Sequence, residues 1–261
     1  MFDMDGTLTP ARKAISGEMH KVLCRLSDQG HTVCIVSGSP FKYIQEQLKM
    51  TELKYPKSLV IMPCNGTQVY TLDDLSGEYE LIYKLTMKDH LDKNSSLTQP
   101  YRELATNVLE LQNYATRKYE FPLTGNFISD RGSMVNWCMI GRDASHEDRD
   151  AFTIEDKEKD LRKHLRECLR VRLDASDLHM IDLTLGGSTS IDIFPKGWDK
   201  TYALRHLDKS MTAWFWGDKC MPGGNDHALY EALQVHGRSF SVDSPEETLT
   251  SLATLKESGR I

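Results

Sequence analysis

The sequence has little that would suggest a metal-stapled, secreted or membrane-embedded protein. Its six cysteines include no C-x-x-C pair, and its nine histidines form no ligand-spaced cluster. We therefore expect no structural zinc site and predict reduced, mostly buried thiols. No apolar run approaches the ~20 residues of a membrane helix, and residues 1–25 carry charges throughout. The sequence predicts neither a membrane span nor a signal peptide, and so a cytoplasmic location.

The sequence also lacks an excess of basic residues. Its net charge is −6, and it contains no long run of charges of one sign. This balance argues against a nucleic-acid partner. With 261 residues, of which 39% are hydrophobic, the chain can bury the core of one large domain or two modest ones.

Strands and helices are predicted to alternate at the start of the chain. Apolar residues from Met19 to Leu26 recur at i, i+3, i+4 and i+7 after a possible cap at Ser16, and predict a helix that Gly30 can close. Further predicted elements are a strand at 32–37, a helix near 41–48 and a strand at 59–62. Such alternation favours a parallel sheet with helices on both faces and a site beyond the carboxyl ends of its strands, where Asp3, Ser37 and Asn65 would lie.

The middle of the chain has a different pattern, with long charged helical segments and alternating antiparallel strands. Predicted helices lie at 88–93, 100–119 and 145–172, and predicted strands at 125–129, 134–140, 179–185 and 189–194. Alternation then returns with a helix at 198–207, a strand at 213–217, a helix at 227–233 and a strand at 239–242. We predict an α/β fold, with a doubly wound, mainly parallel core in two segments (1–82 and 195–261) and an inserted α+β cap domain (83–194).

The first residues, MFDMDGTLT, contain two closely spaced carboxylates, Asp3 and Asp5, after the apolar Phe2. Gly6 can bend the backbone so that both side chains converge on one pocket. Neighbouring carboxylates repel unless a cation or a shared proton relieves them, which favours a Mg²⁺ site. The alternative is an acidic surface turn, because Asp-Gly is a common turn dipeptide.

A second acidic segment, GDKCMPGGND at 217–226, also follows an apolar strand. Mg²⁺ prefers oxygen ligands and usually takes one or two carboxylates with water and substrate phosphate. Two such loops at adjacent strand ends would suffice for a site. Asp218, Asn225 and Asp226 are its candidate ligands, together with Asp3 and Asp5. A glycine-rich surface turn is the alternative.

Four segments in order resemble the motifs of the haloacid dehalogenase superfamily of phosphotransferases: FDMDGTLT, the IVSGS run ending at Ser39, GWDK ending at Lys200, and GDKCMPGGND. The resemblance implies a Rossmann-like core in which Asp3 is the nucleophile that forms an aspartyl-phosphate. Asp5 would be the general acid and base, with its backbone carbonyl on Mg²⁺, and Asp218 would complete the metal site. Mg²⁺, Lys200 and a hydroxyl of Ser37 or Ser39 can together neutralise the phosphate charge.

Three longer segments are similar to the eukaryotic-type phosphomannomutases: RGSMVNWCMIGR (131–142), GGSTSIDIFPKGWDK (186–200) and GDKCMPGGNDHALY (217–230). The similarity covers nearly the whole chain. It implies that cap arginines bind the distal phosphate, because arginine forks suit phosphate oxygens, and that Asp192 binds sugar hydroxyls. The implied substrate-binding residues of the cap are Arg131, Asn136, Arg142, Arg149, Ser190 and Asp192.

The chemistry implied by this family is the interconversion of mannose 6-phosphate and mannose 1-phosphate, which supplies GDP-mannose synthesis. A hexose 1,6-bisphosphate activator would phosphorylate Asp3, and the phosphoryl group would pass to the sugar phosphate. The expected partners are small sugar phosphates and a second copy of the chain, as a homodimer through the cap, with no nucleic acid and no membrane.

Two features depart from the family. The second motif reads Ser37-Gly38-Ser39-Pro40 where the family usually has GGSD, and its first serine resembles sugar-phosphate phosphatases of the same superfamily. Only Met1 and Phe2 precede Asp3, so we expect either a short central strand, with fewer ladder hydrogen bonds, or a true start further upstream. The alternative activity is a sugar-phosphate phosphatase, and a third possibility is a binding protein that kept the fold but not the catalysis.

Overall fold

The computed structural model describes residues 1–260, in which strands and helices alternate over much of the chain. The strands are β1 (Val33–Val36), β2 (Leu59–Met62), β3 (Gln68–Leu72), β4 (Tyr79–Lys84), β5 (Ile128–Asp130), β6 (Val135–Cys138), β7 (Ile181–Gly186), β8 (Ser190–Pro195), β9 (Phe215–Gly217) and β10 (Ser239–Ser241). The helices are α1 (Gly17–Asp28), α2 (Phe41–Gln47), α3 (Met87–Asn94), α4 (Pro100–Lys118), α5 (His146–Lys159), α6 (Leu161–Ala175), α7 (His227–Gln234) and α8 (Pro245–Glu257). A 3₁₀ segment spans Lys200–His206.

The chain divides into two units. The first, which we call the core unit, consists of Met1–Lys84 and 198–260, and the second, the inserted unit, is Leu85–Gly197. Ile261, the last residue of the predicted 195–261 segment, lies outside the described residues.

The core unit contains a parallel sheet with an antiparallel extension. β1 pairs with β2, and β9 with β10, in parallel. Phe2 joins the two pairs, since it forms parallel bridges with both Ile35 and Trp216. β3 and β4 then extend the sheet beyond β2 as an antiparallel hairpin. The strand order is therefore β10-β9-Phe2-β1-β2-β3-β4.

Helices cover both faces of this sheet, as a doubly wound fold requires. On one face, buried residues of α1, α2 and α8, such as Met19, Ile44 and Leu252, pack on Phe2 and Ile35. A second cluster of buried residues includes Leu229 and Leu233 of α7 and Ala203 of the 3₁₀ segment, packed with residues of β1, β2 and β9. The predicted α/β class and doubly wound core are confirmed.

The inserted unit contains an antiparallel sheet with the order β5-β6-β8-β7. The long helices α4 and α6 contact each other, and α6 also contacts β7 and β8. Trp137 of β6 is fully buried, and its indole Nε1 donates to Gln112 of α4 at 2.7 Å. This is the α+β arrangement that the sequence predicts for the middle of the chain.

Three sequence predictions need correction. The predicted helix at 198–207 is a seven-residue 3₁₀ segment that begins at Lys200. The predicted strand at 125–129 is only Ile128–Asp130, because Gly125 and Asn126 adopt positive φ angles of 88° and 51° that a strand cannot contain. The single charged helix predicted at 145–172 is two helices, α5 and α6, separated at Asp160, whose φ is 51°.

No helix within residues 1–260 is long and apolar enough to cross a membrane.

Candidate active site

Asp3 leaves the centre of the parallel sheet between β1 and β9. The backbone of Phe2 donates to Cys34 O at 2.8 Å, and that of Asp3 donates to Trp216 O at 2.9 Å. The Phe2 ring also stacks on the Trp216 indole, with centroids 4.9 Å apart. Phe2 forms parallel bridges with both neighbours, to Ile35 and to Trp216. These contacts direct the buried Asp3 toward the carboxyl edge of the sheet.

The loop after Asp3 depends on a glycine at position 6. Gly6 has φ of +87°, and a Cβ built on it would lie 2.5 Å from Asp218 Oδ2. Its backbone N–H donates to Thr9 O at 2.7 Å and closes the loop. The first acidic motif and the second are thus in direct contact through the one residue type that has no Cβ.

Lys200 connects Asp3 with the second acidic segment. Its Nζ contacts Oδ1 of Asp3 and Oδ1 of Asp226, and all three side chains are almost wholly buried. Asp199 caps the 3₁₀ segment by accepting a hydrogen bond from Thr201 N at 2.8 Å. This cap fixes the start of the segment at Lys200. The sequence predicts Lys200 at the head of a helix, and the residue does begin the 3₁₀ segment. What the sequence does not show is that its ammonium lies between two carboxylates.

Three carboxylates form one cluster at this edge: oxygens of Asp3, Asp218 and Asp226 all lie within 4.8 Å of one another. Lys219 Nζ contacts Asp218 Oδ2. Lys219 N donates to Asp226 Oδ2 at 2.9 Å, so that both Asp226 oxygens have a donor.

The electrostatics of the cluster favour a bound cation. Burial raises the pKa of Asp3 well above its usual value, and the neighbouring Asp226 carboxylate raises it further against the opposing effect of Lys200. Burial lowers the pKa of Lys200, but Asp226 and Asp3 outweigh this and raise it, so the lysine stays charged. Three carboxylates therefore face two ammonium groups, Lys200 and Lys219, and the carboxylates repel one another unless a bound cation or a proton relieves them.

The residues present fit a hard divalent cation. Asp3 and Asp218 supply carboxylate oxygens in the same cluster, which is the donor type that Mg²⁺ takes. Asn225, next to Asp226 in the chain, has a buried Oδ1 with no hydrogen-bond partner within the described residues. A buried acceptor of this kind needs a donor or a cation. Both carboxylate oxygens of Asp226, a predicted ligand, already accept hydrogen bonds, one from Lys200 and one from Lys219 N.

Asp5 lies outside this carboxylate cluster. Its Oδ1 accepts from the backbone of Arg12 at 2.7 Å and from Gln47 Nε2 at 2.8 Å. The predicted general acid and base is thus held by two donors on one oxygen. Sequence reasoning missed Gln47, although a polar residue on the apolar face shared by Ile44 and Leu48 is a usable signal.

The two predicted serines follow β1 directly. Ser37 is buried, and its Oγ accepts from Ser39 N at 3.1 Å. The loop after β2 closes against them, since Asn65 N donates to Ser37 O at 2.9 Å and Cys64 N to Ser39 O at 3.2 Å. Asn65 also reaches Trp198 O at 3.1 Å. Asp3, Ser37 and Asn65 therefore lie at the carboxyl ends of neighbouring strands, as predicted.

The inserted unit brings four predicted residues together: Asn136 of β6, Ser190 and Asp192 of β8, and Arg142 of the loop after β6. Asn136 is paired with Asp192 across the two strands. Its amide donates to Asp192 Oδ1 at 2.6 Å and to Ser190 Oγ at 2.9 Å, and its Oδ1 accepts from Arg142 Nη1 at 3.1 Å. This network brings a carboxylate, a hydroxyl and a guanidinium together, with Asn136, Ser190 and Asp192 buried and Arg142 half-buried. These are the types of group that bind hydroxyls and anions.

The other two predicted arginines are placed differently. Arg149 is buried on α5 and donates to Arg142 O at 2.7 Å, to Ala144 O at 3.1 Å and to Thr189 Oγ1 at 2.8 Å. It therefore fixes the loop that carries Arg142. Arg131 lies in the turn between β5 and β6, where its backbone donates to Met134 O at 2.9 Å.

Comparison with known proteins shows which family the chain belongs to. The family model described as eukaryotic phosphomannomutase matches residues 19–258. The chain belongs to the eukaryotic phosphomannomutase family. Phosphomannomutases of Solanum lycopersicum and Saccharomyces cerevisiae are each 34% identical to the chain, and each alignment covers 98% of this chain and 92% of the relative. The predicted family is confirmed.

A solved structure supports the fold independently. An IMP-bound mutant of the Plasmodium falciparum IMP-nucleotidase matches 98% of this chain and 67% of its own, with a TM-score of 0.62 at 12% sequence identity. At that identity the match supports the shared fold and nothing finer.

Proposed function

We propose that the protein is a phosphomannomutase that interconverts mannose 6-phosphate and mannose 1-phosphate through a phosphorylated Asp3. The observation that carries this proposal is the buried contact of Lys200 with both Asp3 and Asp226, at a sheet edge that also holds Asp218. Membership of the phosphomannomutase family supports the same activity and substrate.

In the proposed reaction, the Asp3 carboxylate attacks phosphorus of a hexose 1,6-bisphosphate. A bond forms between an Asp3 carboxylate oxygen and phosphorus as the bond between phosphorus and the sugar oxygen breaks. Asp5 protonates the leaving sugar oxygen. In the reverse step, Asp5 takes a proton from the hydroxyl of a hexose monophosphate as that oxygen attacks the phosphoryl group. Lys200 and the hydroxyl of Ser37 or Ser39 stabilise the transferred charge.

We propose Mg²⁺ as the cation of this site, held by Asp3, Asp218 and Asn225, with Asp226 and the Asp5 carbonyl as further candidates. When bound, Mg²⁺ neutralises phosphate charge during transfer. Without a cation, burial and the neighbouring Asp226 carboxylate raise the pKa of Asp3, which disfavours the ionised form that attacks phosphorus.

In the inserted unit, we propose that Arg142 and Arg131 bind a phosphate group and that Asp192, Ser190 and Asn136 bind sugar hydroxyls. The hydrogen bonds among Arg142, Asn136 and Asp192 support a preorganised patch. Arg149 contributes by holding the Arg142 loop. A homodimer through this unit stays a prediction, which sedimentation of the purified protein tests. A cytoplasmic role in supplying mannose 1-phosphate for GDP-mannose synthesis is a second prediction.

The product decides between the mutase and its main alternative. The protein is incubated with mannose 1-phosphate, Mg²⁺ and a catalytic amount of hexose 1,6-bisphosphate, and phosphorus NMR follows the products. We expect mannose 6-phosphate. Inorganic phosphate as the main product would contradict the mutase and favour a sugar-phosphate phosphatase, which the Ser37-Gly38-Ser39-Pro40 motif favours. Retention of full turnover by Asp3→Asn would show that Asp3 is not the nucleophile.

A further inference from the structure

Gln47 is a buried polar residue at the end of α2. It lies on the helix face that also carries Ile44 and Leu48, and it is 5% exposed. A buried amide at an apolar position is costly unless its hydrogen bonds are made. Its partners therefore indicate why it is there.

The Gln47 amide donates toward the loop that carries Asp5. Nε2 lies 2.8 Å from Asp5 Oδ1, with longer contacts of 3.4 Å to Thr9 Oγ1 and 3.4 Å to Lys13 O. The Asp5 carboxylate and the Lys13 carbonyl can only accept, so the opposite amide orientation would set oxygen against oxygen. The contacts thus fix Nε2 toward Asp5.

Asp5 Oδ1 receives a second donor from the other side. The backbone N–H of Arg12 lies 2.7 Å from it. Two N–H groups are directed at Oδ1, so a proton bound to Oδ1 would be repelled by both of them. Neither group is directed at Oδ2, which can therefore carry the proton. The two contacts therefore distinguish the oxygens of one carboxylate.

We propose that Gln47 is a positioning residue that holds the Asp5 carboxylate so that Oδ2 transfers the proton. This inference rests on the proposed function, in which Asp5 is the general acid and base. When Asp3 takes the phosphoryl group, the proton moves from Asp5 Oδ2 to the leaving sugar oxygen, and it returns to Oδ2 from the sugar hydroxyl in the reverse transfer. Gln47 touches neither sugar nor phosphate in this role.

The test uses Gln47→Met, which nearly conserves volume and removes the donor, and Gln45→Met on the same helix as a matched control. Two phosphoryl donors are compared in the full-length protein. Hexose 1,6-bisphosphate has an alkoxide leaving group that needs a proton, and p-nitrophenyl phosphate has a phenolate leaving group that does not. The measurements are kcat and KM for mannose 1-phosphate turnover, the burst of p-nitrophenolate, and the melting temperature of each variant.

General acid-base catalysis contributes about 10²- to 10⁴-fold, and we expect Gln47→Met to lose about 10- to 100-fold of kcat, with KM within about twofold. The p-nitrophenolate burst should keep its rate within about threefold, and Gln45→Met should match the wild type. An equal loss with both donors, or no loss with the sugar phosphate, would overturn the role of Gln47 alone. If the wild type does not interconvert the mannose phosphates, the proposed function falls, and this inference falls with it.

Discussion

Lys200 is the side chain on which the electrostatics of the candidate site depend. It is fully buried and contacts two carboxylates that are themselves buried. Isolated charges in a protein interior are costly, and removing one partner of a buried pair leaves the other uncompensated. Asp3 and Asp226 therefore need Lys200 for the stability of the folded state.

Lys200→Met should lower both stability and activity. We expect the free energy of unfolding to fall by about 3–5 kcal/mol without Mg²⁺, because two buried carboxylates lose their cation. Urea unfolding measures this loss. Lys196→Met, at an exposed site four residues earlier, is the control and should leave stability and turnover nearly unchanged. Equal stability of the two variants would show that the buried contact is not stabilising.

The stabilising effect of Mg²⁺ should grow with pH. Since the folded pKa of Asp3 is raised above its unfolded value, the metal-free folded state binds the extra proton, and its stability falls as pH rises through that folded pKa. Mg²⁺ competes with this proton. We expect the rise in melting temperature on adding MgCl₂ to be larger at pH 8 than at pH 5. Asp3→Asn should remove most of this pH dependence, and a constant rise across the range would contradict the raised pKa.

Gly6→Ala should disrupt the site for two reasons, the strain of a left-handed backbone and a collision of the new Cβ with Asp218. Alanine at a left-handed position costs about 1–2 kcal/mol, and at Gly6 its Cβ would also collide with Asp218. Gly30 has nearly the same φ, +89°, but a Cβ at that position would have no other atom within 4 Å. We therefore expect Gly30→Ala to lose a little stability and keep Mg²⁺ binding, measured by calorimetry, and Gly6→Ala to lose Mg²⁺ binding. Normal binding by Gly6→Ala would contradict the close approach to Asp218.

Among the secondary-structure elements, those with strong local signals could be predicted. α1 carries both an apolar stripe and a Ser16 cap that accepts from Met19 N, and β1 and β2 are continuous apolar runs. The 3₁₀ segment was expected to be an α-helix because its composition suits either, and only its short length favours 3₁₀ geometry. Neither the β3–β4 hairpin nor α8 was predicted, although Asp73 and Gly77 mark the hairpin turn.

The candidate site was predictable to the extent that its residues follow strands. Asp3, Ser37 and Asp218 each follow a buried strand, so sheet topology alone places them at one edge. The contacts of Lys200 with Asp226 and of Gln47 with Asp5 depend on side-chain directions across elements far apart in sequence. Local pattern carries no information on these directions, and tertiary packing determines them.

The helix pair α5–α6 supplies a test at the level of elements. Asp156 Oδ2 accepts from Arg162 Nε at 2.7 Å, and both side chains are mostly buried. Arg162 Nη1 also reaches Gly187 O in the β7–β8 turn at 3.0 Å. We expect Asp156→Asn to cost about 3–5 kcal/mol in urea unfolding. Glu155→Gln, which breaks the exposed pair with Lys159 on the same helix, should cost far less, and similar losses would contradict a structural role for the buried pair.

At the level of the whole chain, the two units differ in continuity. The inserted unit is one segment with its own sheet and helices, whereas the core unit is split. We expect residues 85–197 expressed alone to show a cooperative thermal transition by circular dichroism. Residues 1–84 should not, because Phe2 would lack its pairing with Trp216. A non-cooperative fragment 85–197 would show that the inserted unit needs the core unit to fold.

The position of Phe2 between β1 and β9 also sets an order of events during synthesis. Asp3 and Lys200 are 197 residues apart in sequence, and Trp216 emerges later still. At about 5–20 residues per second, roughly 10–40 s pass between the synthesis of the strand that carries Asp3 and that of its second neighbour. During this interval one side of the nascent strand has no partner. The segment around Phe2 is thus open to wrong pairing or to a chaperone during this interval, and a nascent chain halted before Trp216 lacks the pairing that places Asp3 in the sheet.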